Sequence, residues 1–121
     1  MRNKAFHMTM LYDFYGDLLT DRQKEFFDLY YNEDLSLAEI AENAGITRQG
    51  VRDVLVRSEA ILEDMEEKTG IVQRFLEIQK VSAEIENAAS QILMINEERY
   101  ASTDLMHLAQ EIRDCASKLK E

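Results

Sequence analysis

Proline is absent from this chain of 121 residues, and glycine occurs only four times. A barrel or sandwich builds its many turns from those two residues, so their scarcity disfavours both and favours long uninterrupted helices. Cysteine is almost missing: Cys115 stands alone, cannot close an internal disulfide and fits a reducing compartment. The longest clean apolar run, Ile92-Leu93-Met94-Ile95, falls far short of the ~18 residues of a membrane span. Across residues 1–19, Asp13 and Asp17 interrupt the apolar residues, so no signal-peptide core is present; a cytoplasmic location with no membrane partner is expected. Positive charge is outnumbered. Fourteen Lys+Arg face 24 Asp+Glu, a net of −10 and a pI near 4.7, so the chain repels polyanions overall and nucleic-acid binding needs a local exception. The length suits one domain, or a compact head with an appendage, and excludes a large two-domain enzyme. With 45% apolar and 31% charged residues, the chain can bury a core.

Apolar residues at Phe6, Met10, Leu11, Phe14, Tyr15 and Leu18 recur at helical spacing and predict a first amphipathic helix. Thr20 with Gln23 forms a capping-box pattern for a second helix, whose apolar side carries Phe26, Phe27, Tyr30 and Tyr31. Ser36 with Glu39 repeats the pattern and starts a short third helix that Gly45 stops, because such turns commonly need a positive φ. Thr47 caps a long fourth helix with apolar positions at Val51, Val54, Leu55, Ile61, Leu62 and Met65, ending near Gly70. The acidic residues of its last turns, Glu63, Asp64, Glu66 and Glu67, read as a solvated face. Beyond Gly70 the spacing becomes heptad-like. One series runs Ile78, Val81, Ile85, Ala88, Ile92, Ile95, and a second runs Leu105, Leu108, Ile112, Cys115, Leu119 after a cap at Ser102 or Thr103. Two such helices predict an αα-hairpin whose stripes need each other or a second chain.

The chemistry of common enzymes is missing. Gly45 and Gly50 have the glycine spacing of a phosphate loop, but Val51 and Arg52 stand where the lysine and the magnesium-binding hydroxyl belong. His7 and His107 belong to no metal-ligand cluster, and Cys115, at a heptad core position, reads as a small hydrophobe. Surface carboxylates on helices lack the low-dielectric cleft that acid/base work requires. No enzyme activity, cofactor or metal is expected. Phe26-Phe27 and Tyr30-Tyr31 could offer a base-stacking platform, yet at helical spacing beside Leu29 they read as core.

One constellation is strong. Residues 37–54 have the anatomy of a helix-turn-helix: small Ala41 where two helices cross, Gly45 in the tight turn, and Ile40, Ile46, Val51 and Val54 to lock the second helix against the first. Thr47 opens that second helix, aiming its backbone N–H groups and dipole at a phosphate. Arg48, Gln49 and Arg52 fall on the outward face, where arginine reads guanine and glutamine reads adenine, while Thr47 and Arg57 lie nearer the nucleic-acid backbone. Residues 1–58 hold seven bases and ten acids, but between Gly45 and Ser58 Arg48, Arg52 and Arg57 face only Asp53. Low salt would let that local excess of positive charge act.

The stretches LYDFYGDLLTDRQ at residues 11–23, LYY at 29–31, SLAEIAE at 36–42 and TRQGV at 47–51 together resemble the bacterial YlxM family. The head of that family is similar to the helix-turn-helix of the fourth region of sigma factors. The resemblance covers about residues 10–69. It implies a small cytoplasmic protein associated with the signal recognition particle, with no catalytic residues. The family's second helix typically runs S-R-Q-A-V-Y-D, which Thr47, Arg48, Gln49, Val51 and Asp53 match; Gly50 and Arg52 depart from it, so the packing and ligand surface of that helix are where this chain differs.

The expectation is an all-α fold: a helix-turn-helix domain over 1–69, including a long connector helix, and a C-terminal helical hairpin over 70–121 that dimerises. The expected partners are DNA or structured RNA, through Thr47, Arg48, Gln49, Arg52 and Arg57, and a signal recognition particle component. The alternative is an adaptor whose acidic C-terminal half, 14 acids against seven bases over 59–121, docks a basic protein.

Overall fold

A computed structural model describes residues 3–120, and all regular structure among them is helical. Six α-helices follow in order: α1 (Asn3–Tyr15), α2 (Asp21–Phe27), α3 (Leu37–Ala44), α4 (Arg48–Thr69), α5 (Ile71–Ile95) and α6 (Thr103–Leu119). A 3₁₀ turn follows α1, and π-helical turns extend α2 and α5. Among the described residues no helix is long and apolar enough to cross a membrane. The chain divides into two compact units, Met1–Val72 and Gln73–Glu121.

The caps of the first unit follow from its sequence. Thr20 accepts from the backbone of Gln23 while the Gln23 side chain accepts from the backbone of Thr20, and Ser36 and Glu39 repeat the exchange. That exchange holds the Glu39 carboxyl below the usual carboxylate range, chiefly through the N–H of Ser36. Gly45 ends α3 at φ 73° and Gly70 ends α4 at φ 63°.

Two clusters form the core of this unit. Phe26, Ile40, Ala41, Val51 and Leu55 pack α2, α3 and the start of α4 together. Met8, Leu11, Tyr15, Leu19, Phe27, Leu62 and Val72 pack α1 against α2, the later turns of α4 and the first turn of α5. Tyr12 stacks on Phe27 with ring centroids 4.6 Å apart, and Tyr31 covers the other end of that cluster.

Two expectations for this unit need correction. The helix α1 buries Met8, Leu11 and Tyr15 and leaves Phe6 57% and Phe14 39% exposed, so its inner face is rotated from the widest apolar pattern. Nor is the acidic stretch of α4 simply solvated. Glu66 accepts from the Tyr15 hydroxyl and from the N–H of Val72, Glu59 accepts from the Tyr31 hydroxyl, and Glu63 meets His7 at 3.0 Å. Those carboxylates tie α1, α2 and the start of α5 to α4, while Asp64 accepts from Lys68 one turn along.

In the second unit α5 and α6 form an antiparallel hairpin. Asn96 receives the N–H of Ser102 and donates to its carbonyl across the turn, and Lys120 reaches Glu86 at 2.7 Å. The seam is not the predicted one. Ser82 and Ala89 on α5 and Asn96 in the turn that extends it are buried, seven residues apart, and Ala109 and Ala116 are buried on α6. Ile78, Val81, Ile85, Ile92 and Ile95 are all exposed. So are Leu105, Leu108, Ile112 and Leu119, and Cys115, expected in the heptad core, is exposed beside them. Small side chains let two helix backbones approach closely, so they occupy the contact line and the bulky aliphatics are turned outward. Ser82 serves there by its size: its Oγ is buried and makes no hydrogen bond.

Candidate nucleic-acid interface

The turn between α3 and α4 is fixed by local chemistry. The N–H groups of Gly45 and Ile46 both donate to the Ala41 carbonyl, at 2.9 and 3.1 Å, which closes the C-terminus of α3. No atom lies within 4 Å of where a Cβ on Gly45 would sit, so its positive φ, not crowding, is what calls for glycine. Thr47 Oγ1 then accepts the N–H of Gly50 at 3.0 Å and starts α4.

Burial sets the rotation of α4. Val51 and Leu55 are sealed against Ile40 and Phe26, with Ile46 and Val54 half-buried at the edges. At ~100° per residue, Arg48 and Arg52 emerge on one flank, Gln49 and Asp53 point straight outward, and Arg57 emerges on the opposite flank. Arg48, Gln49 and Arg52 share a cleft with Thr47 and with Ser36, Leu37 and Ala38 at the start of α3. Arg57 borders a different cleft, with Gly50, Asp53 and Val54 on one side and Thr20, Arg22 and Gln23 at the start of α2 on the other. The five residues singled out from the sequence are therefore four in one cleft and one outside it.

The electrostatics of the first cleft favour an anion. The N-termini of α3 and α4 both open onto it, and each cap hydroxyl satisfies only one N–H, that of Glu39 or of Gly50. The first N–H groups of both helices stay available, with the positive ends of two helix dipoles behind them. Arg48 and Arg52 are exposed, and among the described residues neither is in an ion pair. Gln49 is engaged: its Nε2 donates to Asp53 Oδ1 at 2.9 Å, so reading an adenine edge requires that amide to leave Asp53. A Cβ on Gly50 would meet Thr47 Oγ1 at 3.3 Å, which makes the glycine a close neighbour of the cap.

Sequence reasoning missed Ser36, Leu37 and Ala38 on one side and Arg22 on the other, where its guanidinium lies 5.1 Å from the centre of the Phe26 ring. The signal was present in the capping boxes at Ser36 and Thr20, which mark helix N-termini but not what those ends face. Tyr30 and Tyr31 meet edge to face, both half-buried against the core, with the Tyr31 hydroxyl held by Glu59. Among the described residues no group of three or more His, Cys, Asp or Glu is placed to hold a metal ion.

Comparison with known proteins places the whole head in one group. The family model described as "Putative helix-turn-helix protein, YlxM / p13 like" matches residues 2–101, so the likeness runs past the motifs of residues 10–69, through α5 and into the turn that follows it. A UPF0122 protein of Thermoanaerobacter sp. (strain X514) is 46% identical over 105 residues, covering 87% of this chain and 86% of that protein. A UPF0122 protein of Desulforamulus reducens is 51% identical over 85 residues, covering 69% and 73%. One of Bacillus cereus (strain AH187) is 44% identical over 98 residues, covering 81% and 89%.

Proposed function

This chain belongs to the YlxM / p13-like helix-turn-helix family, and on that premise we propose that it is a non-enzymatic regulatory or accessory protein that contacts nucleic acid through the N-terminal half of α4. The observation that carries the reading is the pair of unpaired cations, Arg48 and Arg52, set in one cleft with the N-termini of α3 and α4. A phosphate seated there meets two dipole ends and two guanidinium groups, which orients α4 on the backbone. Gln49, once released by Asp53, and the two arginines then face base edges. Thr47 supplies backbone N–H groups, while Arg57 and Arg22 flank the second cleft and act on a neighbouring stretch of backbone.

The net charge of −10 limits this contact to modest affinity that falls steeply with salt. The test is fluorescence anisotropy with a selected duplex and a structured RNA, comparing the wild type with Arg48→Ala and Arg52→Ala over a range of salt. Each variant should bind more weakly, and loss of a phosphate contact should flatten the salt slope by about one. If neither ligand binds in low salt, or both variants bind like the wild type, the reading fails.

The acidic balance of residues 59–121 favours a second reading, an adaptor steered to a basic protein, with a signal recognition particle component as the partner implied by resemblance. Binding of such a component, weakened by salt and untouched by Arg48→Ala, would favour it.

A further inference from the structure

Most of the exposed large apolar residues of the hairpin share one face; Leu76 and Met94 lie off it. On α5 each of Ile78, Val81, Ile85, Ile92 and Ile95 immediately precedes a seam position, either in the buried series Ser82, Ala89, Asn96 or in the half-buried series Gln79, Glu86, Leu93. On α6 Leu108 likewise precedes buried Ala109 and Ile112 precedes half-buried Arg113, and Leu105 lies one turn before Leu108. One residue is a rotation of ~100°, and in antiparallel helices the same rotation from a shared seam turns both stripes to the same side. Leu119 of α6 accordingly lines one groove with Ile78 and Val81 of α5.

We propose that this face is the interface between two copies of the chain, packed with their hairpins antiparallel about a two-fold axis that crosses the helices. Its nine large side chains are each 36–58% exposed. They present on the order of 700 Å² of apolar surface, above the ~300–600 Å² of the largest patch on an ordinary monomer and close to the ~800 Å² each partner buries in a standard interface. Glu77, Glu84, Asp104 and Glu111 each precede a face residue and rim the patch, which opposes an anionic membrane or nucleic acid as its occupant.

Charge selects the second copy and its direction. At the open end of the hairpin, residues 73–80 and 117–120 carry four bases against one acid; at the turn end, residues 97–111 carry four acids against one base. A two-fold axis across the helices sets the open end of one copy on the turn end of the other, bringing Arg74 toward Glu98 and Lys118 toward Asp104. An axis along the helices would stack like ends. The self-complementary arrangement is isologous and closed, so association stops at the dimer.

Sedimentation of the full chain over roughly 0.1–100 µM tests this. A monomer–dimer equilibrium that weakens as salt rises is expected. Ile85→Asp with Ile92→Asp should weaken it on the order of 100-fold without loss of helicity, because a carboxylate buried in an apolar interface has no partner. Arg74→Glu with Lys118→Glu, and Glu98→Arg with Asp104→Lys, should each dimerise poorly alone and recover when mixed. In the wild type, alkylation of Cys115, exposed in one copy, should slow as concentration rises through the dimerisation range. A monomer at 100 µM, a Cys115 rate indifferent to concentration, association strengthened by salt, or a double aspartate variant that dimerises like the wild type would overturn the proposal.

Discussion

Adjacent alanines in α5 offer a sharp test of how the hairpin is built. Ala89 is 1% exposed and lies on the contact line, level with Ala109, which is 2% exposed, in the register set by Asn96 and Ser102. Ala88 belongs to the outer stripe and is exposed. Leucine at either site has nearly the helix propensity of alanine, so any difference between the two variants reports packing. At Ala89 an isobutyl group must push apart two backbones held close by small residues, which costs about 1–3 kcal/mol. At Ala88 the same group enters solvent and changes stability by no more than about 0.5 kcal/mol. The folding constants of the two variants should therefore differ roughly 30-fold. Urea unfolding followed by far-ultraviolet circular dichroism measures this, at a concentration low enough to keep the face containing Ala88 uncovered. If Ala88→Leu were the costlier change, the isoleucine stripe would be the internal core and the small-residue seam would be wrong.

Other perturbations act on single groups. Ser82→Ala removes a buried hydroxyl that makes no hydrogen bond and should stabilise the chain by about 1 kcal/mol in the same unfolding assay. Gly45→Ala, at φ 73° with open space around it, should cost about 1 kcal/mol of backbone strain, whereas Ala101→Gly, at φ 49°, should gain about 0.5–1 kcal/mol. Burial and the neighbouring Glu59 push the Tyr31 phenol well above the ordinary tyrosine value of 10.0. The unfolded chain then gives up this proton first, so the contribution of Tyr31 is intact below pH 10.0 and is lost as pH rises above it. Tyr31→Phe should flatten the alkaline limb of a stability–pH curve.

What could be read from the sequence was mostly local. Thr20 with Gln23, Ser36 with Glu39, Thr47, Gly45 and Gly70 announce helix ends because a cap acts over three or four residues of contiguous chain. The helix-turn-helix was legible for the same reason: Ala41, Gly45, Ile46 and Val51 must follow one another at fixed spacing for that turn to close. Rotation about a helix axis was less legible. Hydrophobicity alone points Phe6, Phe14 and the isoleucines of α5 inward, but the contact line is chosen by fit, and Ala89 and Ser82 fit where Ile85 does not. Glu63 and Glu66 looked like a solvated face because their partners, His7 and Tyr15, lie far away in sequence. At the candidate interface, Arg48, Arg52 and Gln49 stood out by residue type, whereas the N-terminus of α3 entered the same cleft only through tertiary packing.

The central claim is that nucleic acid meets the chain at the cleft between the N-termini of α3 and α4. Amide chemical-shift mapping tests it most directly, with a short duplex and a structured RNA titrated separately into the full chain in low salt. The account predicts shifts concentrated at Ser36, Leu37, Ala38 and from Thr47 to Arg52, reversed by added salt and suppressed in Arg48→Ala. Binding that leaves those amides unmoved while shifting others, or no binding by either ligand, would contradict it.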